Sequence, residues 1–201
     1  MTTSPWILTA FEPFAGRPRN ASAVILDQVE DERITTRLLP VIFDALADQL
    51  SDLLASRPRV LILMGEAGAQ RDVRVERIAL NILDARDRPD NAGVAVEERP
   101  VVPGQPLARA ATWDADKVVR VLRAHRIPTR KSYHAGSYAC NQALYLALCA
   151  AATRDLATRI GFLHVPARAP DLDAQGRHIA AALPAVFAEL DGSQPAREEE
   201  V

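Results

Sequence analysis

A cysteine at the start of a predicted helix and a histidine at the end of a predicted strand carry the strongest chemical signal in this sequence. Cys140 follows the loop residues Gly136 and Ser137. At a helix N-terminus a thiol faces unpaired backbone N–H groups and the positive end of the helix dipole, and both favour the thiolate. His164, if it lies nearby, can hold that thiolate as an ion pair and later protonate a leaving group. A cysteine hydrolase needs at least these two residues.

A third residue is needed to orient the imidazole of such a pair. Glu76 is the candidate, because it lies in an apolar stretch over residues 73–81 where a charge is costly unless it is paired. An ion pair with Arg74 or Arg77 explains the same position. Spacing alone leaves both interpretations open.

Each candidate also has an ordinary structural explanation. A lone helical cysteine is more often a small buried side chain than a nucleophile, and His164 is as readily a buried imidazole as a catalytic one. The loop before Cys140 favours chemistry, because α/β proteins bind ligands at the carboxyl ends of their strands. Cys149, deep in the same helix, is predicted to be core. It lies about half a turn out of phase with Cys140, so we expect no disulfide between them.

Apolar strands alternate with helices along the whole sequence. Strands are predicted at 6–11, 34–39, 60–64, 73–83, 130–133 and 159–165, and helices at 21–30, 44–55, 114–125, 140–153 and 173–190. This alternation predicts an α/β fold, a three-layer α/β/α sandwich around a mostly parallel, mixed sheet. We expect one domain over residues 1–190, a flexible acidic tail over 191–201, and a functional or mobile irregular segment over 84–106.

Composition excludes several classes of function. The net charge of −2 and the dispersed arginines give no reason to expect binding to nucleic acid or to an anionic membrane. No apolar run approaches the roughly 20 residues that span a bilayer, and the first residues do not resemble a signal peptide. With only two cysteines, a disulfide framework is not expected, and the chain is predicted to be cytoplasmic.

Five blocks follow one another in a fixed order. They are TAFEPFAG at 9–16 with Asn20, LPVIF at 39–43, GEAG to VERIALN at 65–81, DAR with PDN at 84–91, and the segments around Cys140 and His164. In this order and with these separations they resemble the pyroglutamyl-peptidase I family, also called pyrrolidone-carboxylate peptidases, over residues 6–186. The resemblance covers nearly the whole chain.

The resemblance implies a cysteine peptidase that removes N-terminal pyroglutamyl residues from small peptides with a blocked N-terminus. By similarity, Cys140 is the nucleophile of a thioester acyl-enzyme, His164 the general base and acid, and Glu76 the orienting carboxylate. The family uses no metal or organic cofactor, and its members are often homodimers or homotetramers. It also implies six substrate-binding residues: Phe11, Phe14, Asn20, Glu66, Arg86 and Tyr138.

Four of these binding residues have more specific roles by similarity, and the sequence departs from the family pattern at three places. Phe14 and Tyr138, with Phe11, are expected to line an apolar pocket for the lactam ring, and the Arg86 region is expected to help the Cys140 N–H stabilise an oxyanion. Glu66 replaces the usual glutamine, residues 86–89 carry an extra residue and added charge, and Gly68-Ala69 replaces Gly-Gly.

These departures keep two alternatives open. One is a cysteine amidohydrolase of the same fold that acts on another N-acyl or lactam substrate. The other is a catalytically inactive homologue that only binds.

Overall fold

The computed structural model describes residues 5–68, 71–168 and 170–192. Within these ranges the chain forms eight strands: Trp6–Phe11 (β1), Ile34–Leu39 (β2), Val60–Ala67 (β3), Val73–Glu76 (β4), Ile78–Leu80 (β5), Ala108–Ala110 (β6), Thr129–Ser132 (β7) and Arg159–Pro166 (β8). It also forms five α-helices: Ala21–Leu26 (α1), Leu46–Ala55 (α2), Ala115–Ala124 (α3), Ala139–Thr153 (α4) and Leu172–Asp191 (α5). A 3₁₀ turn at Phe43–Ala45 precedes α2. The predicted acidic tail lies outside the described residues from 193 onward.

Six strands form the central sheet, in the order β2-β1-β3-β8-β4-β7. The strands β2, β1, β3 and β8 are parallel, whereas β4 pairs antiparallel with β8 and parallel with β7. The prediction of a mostly parallel, mixed sheet is therefore confirmed. Among the described residues, none of the helices is both apolar enough and long enough to span a bilayer.

Two helical layers cover the sheet. The helices α1, α3 and α5 pack together on one face, and α2 packs against α4 on the other. The first core includes Trp6 stacked on Phe187, with ring centroids 5.4 Å apart. The second is built around the fully buried Phe43, Tyr145 and Phe162. Burial on both faces explains why β1, β3 and β8 read as continuous apolar runs.

The prediction of a single strand over 73–83 is wrong. The chain leaves the central sheet at Arg77, whose N–H donates to Ser132 at 2.9 Å while its carbonyl accepts from Ala111 at 2.8 Å. The next residues form β5, which pairs only with β6 in a separate two-stranded sheet. The strand β6 was not predicted, because three partly exposed residues give no apolar alternation.

The first helix is capped by Asn20. Asn20 has extended backbone angles, and its Oδ1 accepts the Ser22 N–H at 2.9 Å. The helix ends at Leu26, before the predicted end at residue 30. Ser22 has a different role. Its hydroxyl accepts the Phe11 N–H and so connects α1 to the end of β1.

Candidate active site

Cys140 is the second residue of α4, which begins after Tyr138. The first N–H groups of a helix have no partner within the helix. This end of α4 therefore presents hydrogen-bond donors and the positive end of the helix dipole to the cavity that Cys140 lines. Asn141, fully buried, holds the helix end in place. Its amide accepts the Leu80 N–H at 2.8 Å and donates to the carbonyls of Leu80 and Ile82 at 2.8 and 2.9 Å.

Gly65 lies directly beneath Cys140. A Cβ at this position would lie 2.6 Å from Cys140 Sγ and 2.9 Å from Phe162 Cζ, both far inside contact distance. The residue is paired in register with His164 on the neighbouring strand β8. The absence of a side chain at residue 65 therefore lets the sulfur approach the sheet beside the imidazole.

His164 and Glu76 form a direct pair across two adjacent antiparallel strands. The distance from His164 Nδ1 to Glu76 Oε1 is 2.8 Å, and the carboxylate is almost completely buried. Among the described residues, Glu76 makes no ion pair with Arg74 or Arg77. The Phe162 ring packs on the imidazole with centroids 4.8 Å apart. Because Nδ1 is taken by Glu76, Nε2 is the ring nitrogen available to Cys140.

Opposing effects act on the charge of His164. Burial disfavours the imidazolium, but the negative charge of Cys140, its hydrogen bond to the ring and the contact with Glu76 outweigh that burial. Together they raise the pKa of His164 from 6.5 to about 9. The ring is therefore protonated at neutral pH and lies beside the Cys140 sulfur.

A cavity of about 320 Å³ opens over this pair. Its wall includes the side chains of Phe14 and Tyr138, whose ring centroids are 5.8 Å apart, and Phe43 packs edge-on against Tyr138 at 5.3 Å. The Tyr138 hydroxyl donates to the Pro89 carbonyl at 3.1 Å. Partial burial raises the pKa of Tyr138 to about 12, so this wall is apolar and uncharged at neutral pH.

Glu66 also lines the cavity, but its carboxylate is engaged within the protein. One oxygen pairs with the Arg17 guanidinium, and the other accepts the Ala21 N–H at 2.8 Å. The carboxylate thus stabilises the positive end of α1. Arg17 also donates a hydrogen bond to the Ala167 carbonyl.

Three of the predicted binding residues do not line this cavity. Phe11 is buried in the core beneath α4, and Asn20 is engaged as the cap of α1. The exposed Arg86 forms ion pairs with Asp84 and Glu97 in a neighbouring depression, which it shares with Tyr138 and Ser137. Their roles in substrate binding remain predictions.

Sequence reasoning did not single out two residues that shape the site. Besides Asn141, the buried Asp90 accepts the Phe43 N–H at 2.9 Å and the N–H groups of Ala92 and Val94 at 3.0 and 2.9 Å. It therefore fastens the irregular segment to the turn that carries Phe43. Both residues could have been identified from their positions, because Asn141 directly follows the cysteine and Asp90 belongs to the PDN block.

Comparison with known proteins gives a consistent result. The family model for pyroglutamyl peptidase matches residues 6–187. A pyrrolidone-carboxylate peptidase of Thermococcus onnurineus is 37% identical over 165 residues, covering 80% of this chain and 82% of the relative. One of Chromobacterium violaceum is 40% identical over 166 residues, covering 80% and 76%.

Solved structures agree with these relatives. The crystal structure of the pyrrolidone carboxyl peptidase of Pyrococcus furiosus superposes with a TM-score of 0.81 at 30% identity, covering 92% of this chain and 99% of that chain. That of Thermococcus litoralis gives a TM-score of 0.83 at 27% identity, covering 99% and 100%.

Proposed function

Because this chain belongs to the pyroglutamyl peptidase family, we propose that it removes N-terminal pyroglutamyl residues from peptides through a thioester on Cys140. One observation carries the assignment of roles. The buried His164 donates from Nδ1 to Glu76 while its charge is matched by Cys140. In this arrangement Glu76 fixes the ring and its tautomer, and Nε2 is free to exchange a proton with the reactants.

Acylation uses the charges already present. The Cys140 thiolate attacks the carbonyl carbon of the scissile amide, which belongs to the pyroglutamyl residue but is not its lactam carbonyl. The electron pair of that C=O bond moves to the oxygen. The Cys140 N–H, at the positive end of α4, stabilises that oxyanion. When the carbonyl re-forms, the C–N bond breaks and His164 Nε2 gives its proton to the departing amine. A thioester and a shortened peptide result.

Deacylation returns the site to its starting state. His164, now neutral, removes a proton from water through Nε2 while the water oxygen attacks the thioester carbonyl. Collapse of the second oxyanion breaks the C–S bond and releases pyroglutamate. The sulfur leaves as a thiolate and the ring is again an imidazolium, so the pair is ready for the next substrate.

The wall formed by Phe14 and Tyr138 supports the choice of substrate. A lactam ring is uncharged and can leave water for an apolar surface at little cost. An ordinary peptide N-terminus carries an ammonium group, whose burial there is expensive without a partner. Tyr138 stays neutral because its pKa is about 12, so this wall offers no counter-charge.

We also propose a cytoplasmic homodimer or homotetramer. Two free cysteines suit a reducing compartment. The exposed side chains of Leu107 (70% exposed) and Tyr133 (68% exposed) are available for contact between subunits. Light scattering coupled to size-exclusion chromatography measures the assembly directly, and a mass of one chain at micromolar concentration contradicts it.

The function is tested with a fluorogenic pyroglutamyl amide. The purified protein should release the dye, and iodoacetamide or Cys140→Ala should abolish release. Cys149→Ala is the matched control, because Cys149 is a buried core residue of the same helix that takes no part in the chemistry. Full activity of Cys140→Ala excludes the thioester mechanism.

A further inference from the structure

Two arginines face the active-site cavity and have no acidic partner among the residues that the structure describes. Arg74 on β4 and Arg88 in the segment after β5 both line the cavity. Among the described residues, neither forms an ion pair with a carboxylate, whereas Arg17 and Arg86 nearby are both paired. The Arg88 guanidinium lies over the Tyr138 ring, 5.8 Å from its centroid.

Arg74 is held close to the reacting atoms. It is directly opposite His164 in the antiparallel pairing of β4 with β8, so their side chains lie on the same face as neighbours. The half-buried side chain has a buried Nε without a hydrogen-bond acceptor among the described residues. Within the described part of the chain, its positive charge and its donors are therefore not used.

The remaining charges of the cavity do not cancel these two. Glu66 is neutralised by Arg17, and the imidazolium of His164 offsets the thiolate that the proposed mechanism places on Cys140. This leaves Glu76 against two guanidinium groups, so the cavity has a net positive charge. A cavity of this kind attracts an anionic substrate and holds its charged group beside the arginines.

The mechanism indicates where that group lies on the substrate. The imidazole must contact the nitrogen of the scissile amide, because it protonates that nitrogen. Arg74 faces His164 on the next strand. A carboxylate that is separated from this nitrogen by one or two carbons therefore lies beside Arg74. Guanidinium groups bind carboxylates through paired, charge-assisted hydrogen bonds.

We propose that Arg74 and Arg88 make this enzyme selective for pyroglutamyl substrates whose leaving residue carries a carboxylate close to the scissile bond. The simplest such substrate is a pyroglutamyl dipeptide, in which the leaving group is a free amino acid. A leaving aspartate offers the same chemistry from its side chain. This inference rests on the proposed pyroglutamyl peptidase function and specifies its substrate class.

The experiment compares three substrates with the same lactam end: pyroglutamyl-alanine, pyroglutamyl-alanine amide and pyroglutamyl-aspartate amide. We expect kcat/KM to be roughly 10- to 100-fold higher for a carboxylate substrate than for the neutral amide, the range typical of a hydrogen bond to a charged group. Preference for the first substrate identifies the α-carboxylate as the preferred anion, and preference for the third identifies the side chain. Added salt should reduce either preference.

Variants connect the preference to the arginines. In Arg74→Gln and Arg88→Gln the ratio of kcat/KM between carboxylate and amide substrates should fall toward one, and Arg74→Lys should restore part of it. Arg77→Gln is the matched control, because Arg77 is an exposed neighbour that packs on Tyr133 outside the cavity, and its ratio should equal that of the parent.

The outcomes separate the two claims. Equal hydrolysis of all three substrates by the parent enzyme overturns the carboxylate selectivity and leaves the peptidase function in place. A preference that survives both glutamine substitutions overturns the assignment to these arginines. Failure to cleave any of the three substrates overturns the proposed function itself.

Discussion

At the scale of single residues, the proposed mechanism makes activity depend on the charge state of His164. Its pKa is about 9, since Cys140 and Glu76 outweigh the effect of burial. Acylation requires the protonated ring, because the leaving amine must receive a proton. We therefore expect kcat/KM to fall as the pH rises through about 9.

Glu76→Gln tests this origin of the alkaline limb. Glutamine can still accept the Nδ1–H bond, but it has no charge to stabilise the imidazolium, so the pKa of His164 should fall. We expect the alkaline limb of the kcat/KM profile to move down by about 1 pH unit or more. Asp116→Asn, which removes an exposed carboxylate paired with Lys131, should leave the limb in place. An unmoved limb in Glu76→Gln contradicts this account.

The same pKa also affects folding. A group whose pKa is higher in the folded state than in the unfolded state binds its proton more tightly when folded. His164 therefore contributes stability that is fully present below about pH 6.5 and is lost as the pH rises through about 9. Urea unfolding across this range should show a loss of stability at alkaline pH that is smaller in Glu76→Gln. An equal loss in both proteins argues that other groups cause it.

Gly65 controls the position of the sulfur. In Gly65→Ala the new methyl group would lie 2.6 Å from Cys140 Sγ, so the sulfur must move away from the sheet. A displacement of about 1 Å at a reacting group can cost roughly 100-fold in rate, and we expect a fall of that order in kcat with slower alkylation by iodoacetamide. Thermal unfolding checks that the fold survives. Unchanged kcat in a folded variant shows that the sulfur position is not constrained by residue 65.

At the scale of elements, the site depends on where α4 begins. Asn141 joins the first turn of this helix to β5 through hydrogen bonds to the backbone of Leu80 and Ile82. Asn141→Ala leaves these buried groups without partners, which costs about 1–3 kcal/mol for an unsatisfied group. We expect a loss of unfolding free energy in that range or above, together with a lower kcat, because the N–H of Cys140 is no longer held in place.

Asn91 provides the matched comparison for this prediction. Its exposed amide also donates two hydrogen bonds, to Glu12 and to the Pro13 carbonyl. Water can replace an exposed partner, so Asn91→Ala should cost less than about 1 kcal/mol. Equal losses in the two variants, measured by urea unfolding, rule out a special role for the buried clamp.

The end of β3 illustrates what the sequence can and cannot predict about an element. The apolar run from Val60 predicts a strand, but a glycine followed by a glutamate predicts its end at residue 64. The strand continues to Ala67, because Gly65 and Glu66 keep their pairing with β8. Glycine is needed there for the approach of Cys140, which is a tertiary requirement that no local pattern contains.

The site residues also differ in how far the sequence predicts them. Cys140, His164 and Glu76 were predictable from the sequence because each is an unusual residue type for its position, and the structure brings all three together. Which aromatic side chains face the cavity depends on packing between distant elements. Phe14 reaches it, whereas Phe11 closes the core beneath. That Arg74 has no acidic partner in the described ranges follows only from the positions of the surrounding carboxylates, which the sequence does not show.

At the scale of the whole molecule, Trp113 connects the helical layer of α3 to the strands that carry the site. Its ring lies against the sheet at Gly161, where a Cβ would lie 1.9 Å from indole atoms. Its Nε1–H donates to the Glu76 carbonyl at 3.3 Å. The side chains of Glu76 and His164 belong to the opposite face, so this contact couples one layer to the chemistry of the other.

Gly161→Ala should therefore destabilise the whole fold. The indole cannot shift without moving the start of α3. Overpacking of this kind typically costs about 1–3 kcal/mol, and the larger value is about a third of the unfolding free energy of a small protein. We expect a lower unfolding free energy of that size and a single cooperative transition.

A double-mutant cycle shows whether the indole is the cause. In a Trp113→Ala background the space beside residue 161 is open, so the additional Gly161→Ala change should cost much less than it does alone. The expected coupling is of the order of 1 kcal/mol or more, because the two groups compete for one volume. If the two losses of unfolding free energy simply add, the methyl group acts on the strand itself, and the packing of Trp113 on Gly161 is not what holds this layer against the sheet.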